Sequence, residues 1–378
     1  MLDRTFSQAV ERAASAWDVP ALAVGVSVGR DEETVALGCT PETLFRVASI
    51  TKPFTALLAL ELLDLDAPTG VWAPDVRVRH LLAHTSGYDC EHGDLTRFGD
   101  GDGALEAVVR ELPAVRRWVG VGECWSYSNA GYWLAGRLCA EAAGTTYEEA
   151  LLERVVRPAG LEATSFGPAD VPGTGPDAAT APYPRARRPS GGLASNVRDL
   201  LRFGLRLLAA PELRVVRGKP PAGVYGFGLF GERVGGVAVW GHGGSWGGYQ
   251  TSLLVVPSRD AVVVGLTNGS SGGKALRALE DEVFRRLLGA ERRRPETAGM
   301  TADELRTFAG SYSNGDDRFG VEAVDGGLRV TFPDGRFEAR PIGPRTFEVT
   351  DGDRAEERFD FPLPGFARFA SRLAERVA

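Results

Sequence analysis

Two blocks of short apolar runs, separated by a long stretch of helical periodicity, constrain the fold of this chain most. The first block pairs the runs 21–28 and 33–39 around a polar turn, which predicts a β-hairpin. Helical patterns then dominate from about 64 to 189, and β-rich runs broken by Gly and Pro return over 225–267. This order predicts an α+β fold with one antiparallel β-sheet flanked by helices, an all-α inserted lobe, and a cleft between the lobes.

A change of composition divides the chain. A basic, proline-containing linker at 291–300 separates a large domain, 1–290, from a tail, 301–378. The all-α lobe of the large domain covers about 64–190. The tail consists of short alternating runs interrupted by Gly-Gly, Asp-Gly and Pro, which are typical of hairpins. We therefore expect a small β-meander or barrel after the linker.

Charge and hydropathy exclude several classes of partner. The formal net charge is −7, and the 43 basic residues are scattered among 50 acidic ones, so no basic stripe is available for nucleic acid. Residues 1–20 contain acids and an amphipathic pattern instead of a basic start and an apolar secretion segment. No later apolar run reaches membrane-spanning length. We predict a cytoplasmic protein without a nucleic-acid or membrane partner.

The cysteines are too irregularly spaced for a zinc ribbon, and in a cytoplasmic protein they are expected to be reduced thiols. They are Cys39, Cys90, Cys124 and Cys139. The sequence gives no reason to expect a metal or another cofactor.

Lysine is rare in this chain, which makes one lysine informative. Only Lys52, Lys219 and Lys274 occur, whereas the other basic residues are arginines. A guanidinium does not release its proton in a protein, but burial or a nearby cation can make an ammonium do so. Lys52 lies three residues after Ser49, at the start of an apolar helix predicted over 51–63, so their side chains share one face. This pairs a nucleophile with a proton acceptor, although a serine cap followed by lysine is also common at helix starts.

Two later segments have groups suited to the same chemistry. Tyr127-Ser128-Asn129 precedes a helix predicted over 130–143 and either presents polar side chains or simply caps that helix. The segment 240–249 holds five glycines in ten residues. It fits a strand whose N–H groups receive a carbonyl, with His242 at the rim, or a tight hairpin with a surface histidine. A phosphate cradle fits less well, because no Walker-type lysine follows.

These segments resemble the motifs of the serine β-lactamase and penicillin-binding-protein superfamily, in particular its class C β-lactamase-like branch of esterases, D-aminopeptidases and transacylases. Residues 44–56 are similar to the first motif, 127–129 to the second, and 242–244, His-Gly-Gly, to the third. The segments 78–87 and 190–195 also match. The resemblance runs from about 21 to 288, and the tail resembles the small lipocalin-like β domain that often follows. Five matches in order favour the catalytic interpretation of each segment.

The resemblance implies a role for each matched residue. Ser49 attacks an acyl carbonyl and holds the acyl group as an ester, while Lys52 accepts or holds the hydroxyl proton. Tyr127 acts as general base or relay, which requires the nearby cation to lower the pKa of its phenol. The oxyanion rests between the N–H groups of Ser49 and Ser245. Asn129 binds the substrate amide or fixes Lys52, and the remaining substrate-binding residues are His242, Gly243, Gly244 and Trp246.

The implied function is a serine acyl-transfer enzyme that takes the acyl group of an ester or amide onto Ser49. Water or an amine then receives it, as in an intracellular esterase, amidase or biosynthetic transacylase acting on a small or peptide-like substrate. His242 stands where lactamases carry a lysine, so less fixed positive charge is available for a substrate carboxylate. β-Lactamase or D-alanyl carboxypeptidase is therefore the alternative, and a non-catalytic acyl-ligand-binding protein of the same fold is a third. The oligomeric state is open.

Three histidines and one cysteine near the motifs look reactive but have simpler interpretations. His80 and His84 fall inside the matched segment 78–87, which favours packing or capping over zinc binding, and His92 follows a few residues later. Cys124 precedes Tyr127 and is interpreted as a small apolar thiol, not as a catalytic group.

Overall fold

A computed structural model describes nearly the whole chain. The described residues are 3–89, 93–176, 178–179, 182–352 and 354–377. Cys90 and His92 lie outside them, so the predictions for these two residues are not addressed. Within the described residues, no helix combines the length and apolarity needed to cross a bilayer.

The large domain is organised around a seven-stranded antiparallel sheet. Its strand order is β2-β1-β9-β8-β7-β6-β5, so the first hairpin of the chain pairs directly with the last strand of the domain. The strands are β1 Leu22–Val28, β2 Asp31–Leu37, β5 Val224–Tyr225, β6 Phe230–Val234, β7 Val237–Trp246, β8 Tyr249–Val256 and β9 Ala261–Thr267; β3 Phe45–Arg46 and β4 Ala194–Ser195 form a separate two-stranded sheet.

Helices cover both faces of the sheet. The α-helices of the large domain are α1 Arg4–Ala16, α2 Thr51–Leu62, α3 Val78–Leu82, α4 Ala104–Glu111, α5 Asn129–Ala143, α6 Tyr147–Leu151, α7 Arg188–Gly191, α8 Val197–Leu208 and α9 Gly272–Leu288. Helices α1 and α9 bury Phe6, Val10 and Leu279 against the apolar side chains of β1 and β9. Helix α8 packs on the opposite face, where the missing side chain of Gly25 leaves room for Val197 and Leu201.

Helices α3 to α6 form the lobe inserted between the strands, and its side chains share one apolar core with α2 and α8. Between 64 and 190 the described residues contain helices and isolated bridges but no longer strand. The structure therefore confirms the predicted α+β class with its antiparallel sheet and helical lobe.

The tail folds as a closed barrel of eight antiparallel strands behind the short helix α10, Ala302–Arg306. Its strands are β10 Gly310–Ser313, β11 Arg318–Val324, β12 Gly327–Phe332, β13 Gly335–Pro341, β14 Thr346–Val349, β15 Arg358–Asp360, β16 Phe366–Phe369 and β17 Arg372–Arg376. Closure removes exposed sheet edges and buries an aromatic core of its own. Residues 290–301 carry neither helix nor strand, and the domain boundary at 291–300 stays a prediction.

Two local predictions were wrong. The helix expected over 193–209 begins only at Val197, because Ala194 and Ser195 pair with β3 instead. The single strand expected over 225–230 is two short strands, β5 and β6, because the chain turns between them at Gly228. Gly228 has φ of +72°, and its Cα lies where a side chain would approach the Pro53 backbone.

Candidate active site

Ser49 lies in a 3₁₀ turn, Ala48–Ile50, that leads directly into α2. Ala48 has φ of +45°, a backbone conformation that is unfavourable for a residue with a side chain and often marks a functional site. The preceding residue, Val47, is fixed from two sides, because its N–H donates to Leu193 O at 3.0 Å and its carbonyl accepts from Thr251 Oγ1 at 3.1 Å. Ser49 itself is half-buried. The sequence-predicted nucleophile is thus held at the start of a buried helix.

Lys52 is completely buried beneath Ser49. Its Nζ donates to Ser49 Oγ at 3.0 Å and to Ser190 O at 2.7 Å. It also lies 4.7 Å from the centre of the Tyr127 ring. Ser190, in α7, is in turn held by a hydrogen bond from Trp133 Nε1 to its hydroxyl at 3.0 Å. The ammonium is therefore aimed at the Ser49 hydroxyl by a carbonyl that cannot itself take a proton.

Tyr127 reaches Ser49 from the segment before α5. Its hydroxyl lies 3.0 Å from Ser49 Oγ, so the serine oxygen contacts both the lysine and the tyrosine. The next residue, Ser128, caps α5 by accepting from Gly131 N–H at 3.2 Å. Capping and presentation of polar side chains are alternative interpretations of 127–129, and the structure has a cap at Ser128 and, at its neighbour Tyr127, a hydroxyl in contact with Ser49. Asn129 is the first residue of α5 and is buried.

His84 packs against the Tyr127 ring and hydrogen-bonds to the segment that carries it. It has φ of +57°, its Nδ1 accepts from Ser128 N–H at 3.0 Å, and its ring centre lies 4.3 Å from that of Tyr127. Burial, together with the charge of Lys52, holds its pKa well below the usual value for histidine. His80 uses its Nδ1 to accept from Arg77 N–H at the start of α3. These contacts agree with packing and capping, and no group of three metal-ligating side chains occurs among residues the structure describes.

His242 is not at the rim of the site, as the sequence suggested, but 4% exposed within β7. The reason is the strand itself: the glycine-rich segment continues β7 to Trp246, and the His242 side chain points between Tyr127, Tyr225 and Phe230. Its Nδ1 lies 2.5 Å from Gly243 O, an acceptor, so Nδ1 carries the proton. Burial and the charge of Lys52 lower the pKa of His242 to about 3, so the ring is neutral at physiological pH.

The end of β7 runs alongside the nucleophile. A side chain at Gly244 would meet the carbonyl of Val47 at 2.2 Å, so only glycine permits this close approach. The register with β6 ends at the pair Phe230↔Gly241, and within the described residues 242–246 pair only with β8. One edge of β7 is therefore open beside Ser49.

The remaining predicted residues lie at this open end of β7. Ser245 is exposed and its hydroxyl accepts from Gln250 Nε2 at 2.9 Å, across the strand pair. Gly243 is exposed, and Trp246 is half-buried with its ring 4.9 Å from that of Tyr183. Strand alternation puts the Ser245 side chain on the face opposite His242 and Gly244. Its backbone, not its hydroxyl, is the part that borders the site.

Two cavities lie beside β7. One of about 480 Å³ is lined by residues that include His242, Gly243 and Gln250. A second, of about 1240 Å³, extends between the large domain, the linker and the barrel and includes Ser371. The two cavities are neighbours that share Phe230, and neither is lined by Ser49, Lys52 or Tyr127.

The described cysteines are free thiols. Burial raises the pKa of Cys124 to about 11 and that of Cys139 to about 12, so both are protonated at neutral pH. A protonated thiol is a poor nucleophile, which agrees with an apolar packing role for Cys124.

Comparison with known proteins identifies the family. The family model described as Beta-lactamase matches residues 2–288. The chain belongs to this family.

Among its relatives, "Penicillin-binding protein 4" of Amycolatopsis lactamdurans is 28% identical over 364 residues, covering 78% of this chain and 93% of the relative. Among solved structures, SurE with D-Leu superimposes with a TM-score of 0.78 at 23% identity over 99% of this chain and 100% of the other. A D-stereospecific amidohydrolase from Streptomyces has a TM-score of 0.61 at 28% identity over 73% and 98%. The SurE match includes the barrel, so the two-domain arrangement recurs outside this chain.

The sequence carries little signal for the residues that hold Lys52 and Tyr127 in place. Ser190 lies in a matched segment, yet its role as the acceptor for Lys52 depends on a backbone carbonyl, which sequence does not display. For His84 the sequence predicts packing or capping, but it does not identify Ser128 N–H as the group that the ring accepts from. Ser371 of the barrel accepts from Tyr127 N–H at 2.9 Å, and nothing in the tail sequence signals it.

Proposed function

We propose that this member of the beta-lactamase family is a serine acyl-transfer enzyme with Ser49 as nucleophile. The observation that carries the proposal is the convergence of Lys52 Nζ and Tyr127 OH on Ser49 Oγ, each at 3.0 Å. Two proton-transferring groups at hydrogen-bonding distance from one hydroxyl are what activation of a serine requires. A binding protein of the same fold would have no need of a buried lysine at this position.

In the acylation step, Ser49 Oγ attacks the acyl carbonyl while its proton passes to the Lys52–Tyr127 pair. The new oxyanion is stabilised by the N–H groups of Ser49 and Ser245, the latter on the open edge of β7. Collapse of the tetrahedral intermediate breaks the bond to the alcohol or amine, which leaves with the proton that Tyr127 returns. Water or an amine then attacks the ester on Ser49 and restores the hydroxyl. Asn129, Gly243, Gly244 and Trp246 would line the bound acyl donor.

The environment of His242 favours esters and amides over β-lactams. A neutral, buried imidazole offers no positive charge to a carboxylate, whereas β-lactams and D-alanyl peptides present one. The alternative of a β-lactamase or D-alanyl carboxypeptidase is therefore ranked second. The likeness to a D-stereospecific amidohydrolase leads us to propose a D-configured residue in the acyl donor.

Covalent labelling tests the nucleophile. Wild-type protein treated with a fluorophosphonate should gain the mass of one adduct, mapped to the peptide that contains Ser49, and Ser49→Ala should stay unlabelled. Ser245→Ala is the matched control, because it removes a neighbouring hydroxyl but keeps the backbone N–H, so it should be labelled normally. An adduct that persists in Ser49→Ala and disappears in Ser245→Ala would contradict the assignment.

A substrate screen tests the donor and the acceptor separately. Pairs of D- and L-amino-acid p-nitrophenyl esters and amides, beside a cephalosporin, should show turnover of the D-esters or D-amides at least ~10-fold faster than of their L-counterparts. Repeating the assay with an added amine and analysing products by mass distinguishes transfer from hydrolysis. Turnover of the cephalosporin alone would favour the β-lactamase alternative.

A further inference from the structure

One hairpin of the barrel bonds to three consecutive residues of the segment that carries the catalytic tyrosine. Arg368 Nη1 donates to Trp125 O, Leu373 N–H donates to Ser126 Oγ at 3.3 Å, and Tyr127 N–H donates to Ser371 O at 2.9 Å. The hairpin consists of β16 and β17, joined by the two residues Ala370 and Ser371.

Side-chain packing reinforces these bonds. Leu373, 1% exposed, packs against Trp118 and Val119 of the inserted lobe. Arg372 Nη2 lies 3.2 Å from Asp89 Oδ1, and the carbonyl of Asp89 accepts from Ser128 Oγ at 2.8 Å. The hairpin thus contacts the catalytic segment directly and also through its neighbours.

The turn of the hairpin is fixed in an unfavourable conformation. Ala370 has φ of +46° and Ser371 φ of +68°, the two positive values of a two-residue hairpin turn that glycine and asparagine normally supply. Arg368 anchors the hairpin from the outer face of the barrel, where its side chain is 2% exposed against Trp125 and forms two bonds to the Asp360 carboxylate. The Ser371 carbonyl is therefore held in one place relative to the barrel.

The tyrosine segment needs such support, because residues 121–128 form neither helix nor strand. From the large domain it is held by His84, whose carbonyl accepts from Ser126 N–H at 2.9 Å and whose Nδ1 accepts from Ser128 N–H at 3.0 Å. These bonds fix the amides on either side of Tyr127. The amide of Tyr127 itself is bonded to the barrel.

We propose that the hairpin of residues 366–376 is a positioning element of the active site, which holds Tyr127 at hydrogen-bonding distance from Ser49. The barrel is then a structural part of the catalytic centre, not an independent appendage. The inference rests on the proposed function, since it assigns Tyr127 a catalytic task. Ser371 acts through its backbone carbonyl and touches no reacting atom, so it is a positioning residue.

An insertion in the turn tests the proposal. Two glycines added between Ala370 and Ser371 lengthen the turn and displace the carbonyl while the barrel strands stay paired. The rate of Ser49 labelling by a fluorophosphonate should fall ~10- to 100-fold, because small misplacements of a catalytic group have effects of this size. The matched control is the same insertion between Asp325 and Gly326, a two-residue turn on the exposed side of the same barrel, which should label within about twofold of wild type.

Combining the insertion with Tyr127→Phe tests whether the effect passes through the tyrosine. If it does, the insertion should change labelling less than about twofold once the hydroxyl is gone, because the two changes remove one function. Equal losses in both backgrounds, or no loss in the wild-type background, would overturn the proposal.

Hydrogen exchange gives a readout that does not need activity. The amide of Tyr127 should exchange at least ~10-fold faster after the 370/371 insertion and at an unchanged rate after the 325/326 insertion. Unchanged exchange in both proteins would refute the positioning role. Absence of any adduct on wild-type protein would instead refute the proposed function, while the exchange result would still decide whether the hairpin holds the segment.

Discussion

The two sides of the active site are built in different ways. Ser49 and Lys52 come from one short stretch of chain, where three residues of separation at the start of α2 bring a hydroxyl and an ammonium to 3.0 Å. Tyr127 comes from an irregular segment that is held by His84 on one side and by the barrel on the other. The contact between Ser49 and Lys52 therefore follows from local helix geometry, with the Ser190 carbonyl as a distant anchor for the ammonium, whereas the placement of Tyr127 depends entirely on contacts between distant parts of the chain.

Lys52→Arg tests the contact between Ser49 and Lys52 and should have the largest effect on the labelling rate. Arginine keeps the positive charge but does not release its proton, and its longer side chain does not fit the buried space under Ser49. The labelling rate and ester turnover should fall ~10³-fold or more, within the range for loss of a proton-transfer group. Lys219→Arg, at an exposed position, is the control and should keep wild-type rates.

One outcome for Lys52→Arg would contradict the role of Lys52 in proton transfer. If that variant labels within about tenfold of wild type and unfolds at the same temperature, the lysine serves as a fixed charge only. Lys52 would then not accept the proton of Ser49, and proton transfer would have to be assigned to Tyr127 alone.

His84→Asn tests the contacts that hold Tyr127 from a distant part of the chain. Asparagine tolerates the left-handed backbone at this position, but it removes the ring from Tyr127 and withdraws the acceptor from Ser128 N–H. We expect the labelling rate to fall ~10-fold, with a loss of about 1–3 kcal/mol in the free energy of unfolding from the unsatisfied amide. Denaturant unfolding and labelling kinetics measure the two effects separately.

His80→Asn is the matched control for that variant. His80 also accepts a backbone N–H through Nδ1, but it lies at the start of α3 and does not touch Tyr127. A comparable loss of stability without a change in labelling is expected. If both variants slow labelling equally, general destabilisation explains the effect, and His84 has no specific role in placing Tyr127.

The same contrast explains what the sequence could predict. The α+β class, the hairpin, the helical lobe and the Ser49–Lys52 contact follow from periodicity and short spacing, and the structure has each of them. The role of Ser371 and the anchoring by Ser190 depend on backbone carbonyls, and the burial of His242 depends on how β7 packs against distant aromatic rings, so side-chain patterns carry no signal for these. His242 shows this most clearly: the glycine density fits a strand with the histidine at its rim, and the strand is present as β7, but the side chain is buried.

The smallest predicted effect concerns the pH dependence of stability. His242 has a pKa of about 3 in the folded protein and an ordinary value near 6.5 when unfolded, so below that value the unfolded state binds a proton that the folded state does not. Stability should be fully present above about pH 6.5 and should decrease as the pH falls, by up to about 1.4 kcal/mol per pH unit from this residue. His242→Gln, which does not titrate, should show a shallower decrease between pH 7 and pH 5 when unfolding is followed by denaturant titration.

Parallel curves for the two proteins would mean that His242 takes up its proton without unfolding. A positive charge would then be available beside Ser49 in acid, and β-lactams should become better substrates as the pH is lowered.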